Sequence, residues 1–354
     1  MTDLEKFCSR VTEAADCAVI TDDVNRRYFT AMKSSAGTLV VFPEKAYFII
    51  DFRYIEKAKK TVTACEVILQ DKLYEQINSL IEKHGAKTVS VNADTCTISE
   101  LIAYQQKLNA EVIADTKLAE IIREIRTVKS QEQIDKIIKA QRIAEKGFAH
   151  MLDFIKVGRT EKEIQLELDY YMLKNGAEAL SFDTIALSGS NTSLPHGVPS
   201  DKKVESGEFV LMDFGATYDG WHSDMTRTVC VGKPSDKMKS VYETVLNAQL
   251  SALDAVKAGM SGKELDKIAR DIITDAGYGD NFGHSLGHGV GVEIHESPYA
   301  SPSREDILPE NSIVTVEPGI YLEGKFGVRI EDFVVVTENG CINMTKAPKE
   351  LICL

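Results

Sequence analysis

Residues 156–168 read KVGRTEKEIQLEL, and residues 257–269 read KAGMSGKELDKIA. The second stretch repeats the first in charge, apolar spacing and punctuation, which marks an internal repeat. Each opens a helix with a capping box, Thr160/Glu163 and Ser261/Glu264, whose side chains satisfy N–H groups left unpaired in the first helical turn. Each helix ends near a glycine, Gly176 or Gly277, a residue suited to a C-terminal stop. Working outward, each is preceded by another amphipathic helix. In the first of these Ile134, Ile137, Ile138, Ala144, Phe148, Met151, Leu152 and Ile155 recur at helical spacing. Each is followed by H-x-x-P, as His196-Gly-Val-Pro199 and His295-Glu-Ser-Pro298. Each H-x-x-P leads into an apolar strand with an acid in its middle: Asp213 in FVLMDFG and Glu317 in SIVTVEPG. A second acid follows on the next strand, Asp224 in one half and Glu331 in the other. The repeat therefore predicts two half-domains that each give one histidine and two carboxylates to a shared site.

Upstream of the repeat the pattern changes. Apolar, β-rich runs at 18–21, 37–42, 46–51, 65–70, 87–92 and 111–115 are separated by helical stretches such as Leu73–His84 and Ser99–Leu108. Such alternation predicts a small α/β domain over residues 1–125, with no catalytic constellation of its own. Arg126-Thr-Val-Lys-Ser130 reads as a polar break, so the second domain is expected to span 126–354. The overall expectation is an α+β chain, a smaller α/β domain followed by the duplicated one. Lysine and arginine total 41 against 54 acids, a formal charge of -13. That balance argues against nucleic acid or an anionic membrane as partner, since phosphate binding needs a basic face. The first residues lack the basic and apolar regions of a secretory signal, and no apolar run is long enough to span a bilayer. The seven cysteines are scattered and never in C-x-x-C. A reduced, cytoplasmic protein without membrane attachment is the expectation.

The hairpin FVLMDFGATYDGWHSDMTRTVCV, residues 209–231, turns at Tyr218-Asp219-Gly220. A turn at 218–219 sets Asp213 opposite Asp224, and one at 219–220 sets them on a diagonal. Side chains alternate with period two, so both registers leave the carboxylates on one face. Two such acids repel, and either one takes up a proton or a cation sits between them. Residues 282–298 hold three of the seven histidines, His284, His288 and His295, among glycines that let the backbone approach a ligand. Their spacing fits neither a dinucleotide fingerprint nor a phosphate loop with its lysine. Four carboxylates and one imidazole form a hard, oxygen-rich ligand set whose four negative charges balance two divalent ions. The set suits manganese, cobalt or iron better than a thiolate-rich structural zinc. Two metals sharing carboxylates polarise a carbonyl and lower the pKa of a bridging water towards about 7.

The ordered set Asp213, Asp224, His288, Glu317 and Glu331, with G-H-G-x-G, H-E-x-P, E-P-G and G-V-R-I-E-D, resembles the metallopeptidases of the pita-bread fold. The α/β domain and the motifs D-F-G-A, D-G and S-D-M-T-R-T narrow the resemblance to the aminopeptidase P and prolidase group, also called creatinase-like, over essentially the whole chain. The resemblance implies a C-terminal pita-bread domain with an internal two-fold repeat. It implies two divalent ions, Mn²⁺ first, with Co²⁺, Zn²⁺ or Fe²⁺ as alternatives. Asp213 would bind one ion, His288 and Glu317 the other, and Asp224 and Glu331 would bridge them. Glu317 would also shuttle the proton of the bridging hydroxide. His295 would stabilise the tetrahedral intermediate, His196 and His284 would contact the peptide around the scissile bond, and Arg329 would orient its side of the site. His222 is read as structural.

The resemblance further implies a homodimer acting on peptides with proline in second position. Prolidases similar to this chain often place an arginine where Tyr299 stands here, to hold a dipeptide's carboxylate. Tyr299 therefore favours Xaa-Pro aminopeptidase over Xaa-Pro dipeptidase, with Arg329 as a possible substitute cation. A metal-free amidinohydrolase or a non-catalytic peptide-binding module on the same fold would have lost part of the ligand set, which is complete here.

Overall fold

The β-rich runs of the first unit, Met1–Arg126, become six strands in the computed structural model, which describes all of residues 1–354. They are β1 (Cys17–Ile20), β2 (Thr38–Val41), β3 (Ala46–Ile50), β4 (Glu66–Leu69), β5 (Thr88–Val91) and β6 (Glu111–Ile113), in the spatial order β4-β3-β2-β1-β5-β6. β1, β2 and β3 pair antiparallel, and the remaining pairs are parallel. Six helices accompany them: α1 (Asp3–Arg10), α2 (Asp23–Thr30), α3 (Ile55–Thr61), α4 (Leu73–His84), α5 (Ile98–Lys107) and α6 (Lys117–Thr127). Alternate residues of the strands enter two different cores. Ala18, Ile20, Leu39, Val41 and Phe48 pack on one side, and Cys17, Val19, Val40 and Tyr47 on the other. A sheet buried on both faces explains why these strands read as continuous apolar runs.

The units divide within the stretch read as a polar break, between Arg126 and Thr127, but its charges are not those of a solvated linker. Helix α6 runs through Thr127, Arg126 is buried and donates to Asn25 Oδ1 at 3.1 Å, and Lys129 is completely buried against Glu296 at 2.6 Å. Charged residues look like a linker in sequence, but each of these has a buried acceptor far along the chain.

The second unit, Thr127–Leu354, begins with α7 (Gln131–Phe154), started by the capping box Ser130/Gln133, and α8 (Glu161–Lys174), started by Thr160/Glu163. Strands β7 (Ala179–Leu180), β8 (Ile185–Ser188), β9 (Glu208–Phe214), β10 (Ala216–Tyr218), β11 (Trp221–His222) and β12 (Met225–Val231) follow. The pattern then recurs. Helices α9 (Asp236–Ala255) and α10 (Gly262–Asp275) are followed by β13 (Gly287–Gly289), β14 (Glu296–Ala300), β15 (Ile313–Val316), β16 (Gly319–Leu322), β17 (Phe326–Arg329), β18 (Asp332–Thr337) and β19 (Gly340–Asn343). The box Ser261/Glu264 starts α10 as its sequence requires. Each half has its own apolar core: Phe148, Ile164, Leu168, Met212 and Phe214 in the first, Val245, Leu265, Ala269, Val314 and Val334 in the second.

The hairpin closes on Asp219-Gly220, both at positive φ (48° and 81°), as a type I′ turn demands. One register then holds along the whole ribbon, from Tyr218↔Trp221 to Val231↔Glu208. Asp213 faces Thr226, so Asp224 sits diagonally from it on the same face. The acids do not lie mid-strand as expected. Only Asp213 is inside a strand; Asp224 precedes β12, Glu317 follows β15, and Glu331 falls between β17 and β18. The ladders are interrupted where the carboxylates turn to the site. No helix is long and apolar enough to cross a membrane.

Candidate metal centre

The interrupted strands of both halves end at one cavity of about 800 Å³, walled by Asp213, Asp224, His288, Glu317 and Glu331 together with His196, His284, His295 and Arg329. All nine residues singled out in the sequence thus share one site, although their surroundings differ.

Asp224, His288 and Glu331 form the tightest group, with one ligand atom of each within 4.8 Å of the others. Glu317 joins through His288, with Oε1 at 3.3 Å from Nε2, and Asp224 Oδ2 lies 3.6 Å from the same nitrogen. Asp213 stands outside this group. Its Oδ2 accepts from Arg329 Nη2 at 2.7 Å. His288 Nδ1 is 3.1 Å from the Gly289 carbonyl, which accepts that nitrogen's hydrogen and leaves Nε2 as the atom that faces the carboxylates and would offer its lone pair to a cation among them.

The donor set fits a divalent cation on two grounds. Asp213 Oδ1 and Asp224 Oδ1 are buried and accept no hydrogen bond, and buried oxygens of this kind are normally partnered. Burial, and then the charge of Asp213, push the Asp224 carboxyl well above the usual carboxylate range. Burial, and then Asp224, do the same to Glu331. A cation among them offsets both effects, because it stabilises each ionised form. Carboxylates and one imidazole, without thiolate, make a hard site.

A hydrogen-bonded chain supports these groups. Arg329, 3% exposed, donates from Nη1 to the Tyr321 hydroxyl at 2.7 Å and from Nε to Thr226 Oγ1 at 3.0 Å. Thr226 Oγ1 passes its own hydrogen to Glu331 Oε2 at 2.8 Å. Tyr321 OH lies 2.9 Å from His284 Nε2, while His284 Nδ1 faces the Ser285 carbonyl at 2.8 Å. Tyr321 therefore accepts from Arg329 and donates to His284. Both His284 nitrogens are taken by protein partners, so a peptide contact through either one requires its release. Burial holds His284 and His295 below the ordinary imidazole range. The His295 ring packs edge-on against His288, centroids 4.3 Å apart.

Tyr321 and Thr226 escaped the sequence reading. A tyrosine and a threonine on apolar strands look like ordinary β residues; Thr226 gets its work from contacts across the two halves, and Tyr321 from Arg329 and His284 within its own half. The one available signal was Thr226's place two residues after Asp224, on the same face of the strand. His222, whose N–H donates to the Gly291 carbonyl at 2.9 Å, lies outside the carboxylate group.

Residues 135–338 match metallopeptidase family M24, and residues 10–128 match the creatinase/prolidase N-terminal domain. The chain is 45% identical to an uncharacterised peptidase of Bacillus subtilis (strain 168), covering 96% of both. It superposes on the structure of an Xaa-Pro dipeptidase from Bacillus anthracis with a TM-score of 0.95 at 41% identity, covering 99% of each chain. An X-Pro aminopeptidase from Thermotoga maritima MSB8 gives a TM-score of 0.91 at 38% identity, over 96% of this chain and 98% of that one. The chain belongs to metallopeptidase family M24: it is a peptidase of the aminopeptidase P and prolidase group, with a creatinase-type domain ahead of a pita-bread catalytic domain.

Proposed function

We propose that the protein is a dinuclear Xaa-Pro aminopeptidase that removes the residue preceding a penultimate proline. The observation that carries the choice of substrate is the far wall of the cavity, where Tyr299 rather than an arginine stands. A dipeptide's carboxylate buried without a cationic partner is costly. Arg329 does not substitute, because its donors are engaged by Asp213, Tyr321 and Thr226. A peptide that continues past proline brings an amide to this wall instead.

Asp213, Asp224, His288, Glu317 and Glu331 would hold two divalent ions, with manganese the first choice. When bound, the ions supply a Lewis acid for the scissile carbonyl and activate water near neutral pH. The protein's groups do the rest. Glu317 takes the proton of the attacking water on a carboxylate oxygen and returns it to the leaving amine. His295 donates a hydrogen bond to the carbonyl oxygen as charge grows there. His196 and His284 line the path of the peptide, His284 held by Tyr321. Arg329 orients Asp213 and opposes the rise that burial gives its carboxyl.

Arg304 favours a second reading, Xaa-Pro dipeptidase. Its guanidinium lies over the Tyr299 ring, 4.0 Å from the centroid, and could answer a carboxylate there. The test is kcat/KM on matched Xaa-Pro and Xaa-Pro-Yaa peptides with manganese added, for the protein and for Arg304→Ala. Aminopeptidase predicts preference for the tripeptide and little effect of the substitution. A dipeptide preference lost in Arg304→Ala would overturn it in favour of dipeptidase. Both readings place the protein on peptides with proline second, as a cytoplasmic homodimer.

A further inference from the structure

Glu161, the first residue of α8, is completely buried, yet its side chain makes no ion pair. Its oxygens are filled by one loop. Oε1 accepts from the Ser188 N–H at 2.7 Å, the Ser188 hydroxyl at 3.1 Å and Asn191 Nδ2 at 3.0 Å. Oε2 accepts from the Ser200 N–H at 3.0 Å, the Ser200 hydroxyl at 2.6 Å and Asn191 Nδ2 at 3.2 Å. A carboxylate removed from water persists where hydrogen bonds to its charged form replace hydration. The helix N-terminus adds to this, and the Lys162 N–H donates to the Ser200 carbonyl at 3.1 Å.

The six bonds are distributed in a particular way. Ser188 and Asn191 lie before His196 in the chain, and Ser200 lies after it. One carboxylate thus grips both feet of the excursion between β8 and β9 that carries His196 to the cavity. The middle of the excursion is pinned elsewhere, where Thr192 Oγ1 accepts from the Gly327 N–H at 2.8 Å. His196 itself is exposed, so its position follows from the backbone beneath it.

We propose that Glu161 is a positioning residue for the peptidase reaction: by clamping residues 188 and 200 together it sets where the His196 imidazole meets the peptide. The proposal rests on the reading of His196 as a peptide contact. No metal-ligand candidate lies in this loop; its link toward them is the Pro195 carbonyl, which accepts from Arg329 Nη1 at 3.4 Å, so metal content is read alongside activity.

The test is a double-mutant cycle on the full-length, manganese-loaded protein with an Xaa-Pro-Yaa substrate. Glu161→Gln keeps the shape but sets an amide NH₂ against donors. It is expected to lower kcat/KM by about 10- to 100-fold, the scale of a displaced catalytic group, with metal content unchanged. In a His196→Ala background the same substitution should change kcat/KM by less than about twofold, because the group it positions is gone. Ser200→Ala, which removes the 2.6 Å hydroxyl bond to Glu161 together with the hydroxyl's acceptance from the Lys202 N–H at 3.1 Å, should show the same coupling with a smaller fall, and decides the matter if Glu161→Gln does not fold. Equal losses in both backgrounds would overturn the proposal and leave Glu161 a general structural residue. If His196→Ala alone leaves kcat/KM unchanged, the reading of His196 fails, and the proposal with it.

Discussion

In the first half of the catalytic unit the acid-bearing ribbon closes on two residues, Asp219 and Gly220; in the second half it closes on three, between Leu322 and Phe326. The registers differ accordingly. Asp213 and Asp224 stand on a diagonal, whereas continuing the β15–β18 register past Val316↔Asp332 puts Glu317 directly opposite Glu331. The longer glutamates face each other and the shorter aspartates are offset, yet all four reach one cavity. The histidine segments are held differently too. In the first half the Glu161 side chain bridges α8 to the His196 loop. At the equivalent position of the second half stands Gly262, where a Cβ would come within 1.9 Å of the Tyr299 carbonyl on the strand that follows His295. There helix and strand touch directly, and the neighbouring loop is held by buried Asp266, which accepts from the Leu286 N–H at 2.9 Å and pairs with Arg270 at 2.7 Å. The repeat preserves where functional groups arrive and leaves open how each is supported.

If the halves are equal partners in the centre, one acid from each should be equally indispensable. Asp224→Ala in the first half and Glu331→Ala in the second should both reduce hydrolysis to background, and chelation should do the same to the unaltered protein. Circular dichroism should report a folded chain, while bound metal falls. A variant that keeps substantial turnover would show that its half is subordinate.

The next contrast concerns His295. Losing a donor to a developing oxyanion typically lowers turnover about 100- to 1,000-fold, so His295→Ala should fall in that range with metal content normal. Parallel loss of metal would instead make the His288–His295 ring contact its main role.

How far the sequence revealed these differences depends on the range of the interactions involved. The capping boxes at Thr160 and Ser261 are local, and they formed where expected. The four acids were legible because each interrupts or borders an apolar run whose pattern it violates. Glu161, Asp266, Lys129 and Tyr321 were not. Glu161 and Asp266 sit on helices, where acids are commonplace, and Lys129 sits among charges. Tyr321 continues an apolar strand. Each acquires its meaning from partners such as Ser200, Leu286, Glu296 or Arg329, and no local pattern announces those contacts. The diagonal register was open between two turns until the positive φ of both Asp219 and Gly220 decided it.

Gly262→Ala probes the direct packing of the second half. The added methyl meets backbone rather than a flexible side chain, so α10 or β14 must shift. Overpacking of this kind costs about 1–3 kcal/mol, and because β14 follows His295, kcat should fall along with the melting temperature. At the corresponding position Glu161 carries a full side chain, accommodated by its bonds to Ser188, Asn191 and Ser200. Unchanged stability and kcat in Gly262→Ala would show that the two halves pack alike at this position after all.

The smallest effect is expected at the turn of the first ribbon. Gly220 has φ +81°, and its N–H donates to Glu178 Oε2 at 3.0 Å. An alanine held in the left-handed region costs about 1–2 kcal/mol, partly offset by the smaller conformational entropy of its unfolded chain. Gly220→Ala should therefore destabilise the protein by about 1 kcal/mol, a fall in melting temperature of roughly 2–4 °C for a unit of this size. Activity and metal content should not change, because the register is also held by the seven pairs of β9 and β12 between the turn and the helices. The acids are offset by the register of those strands, and the turn only accommodates it. Loss of metal with little loss of stability would reverse that order, and would mean that the two-residue turn itself spaces Asp213 from Asp224.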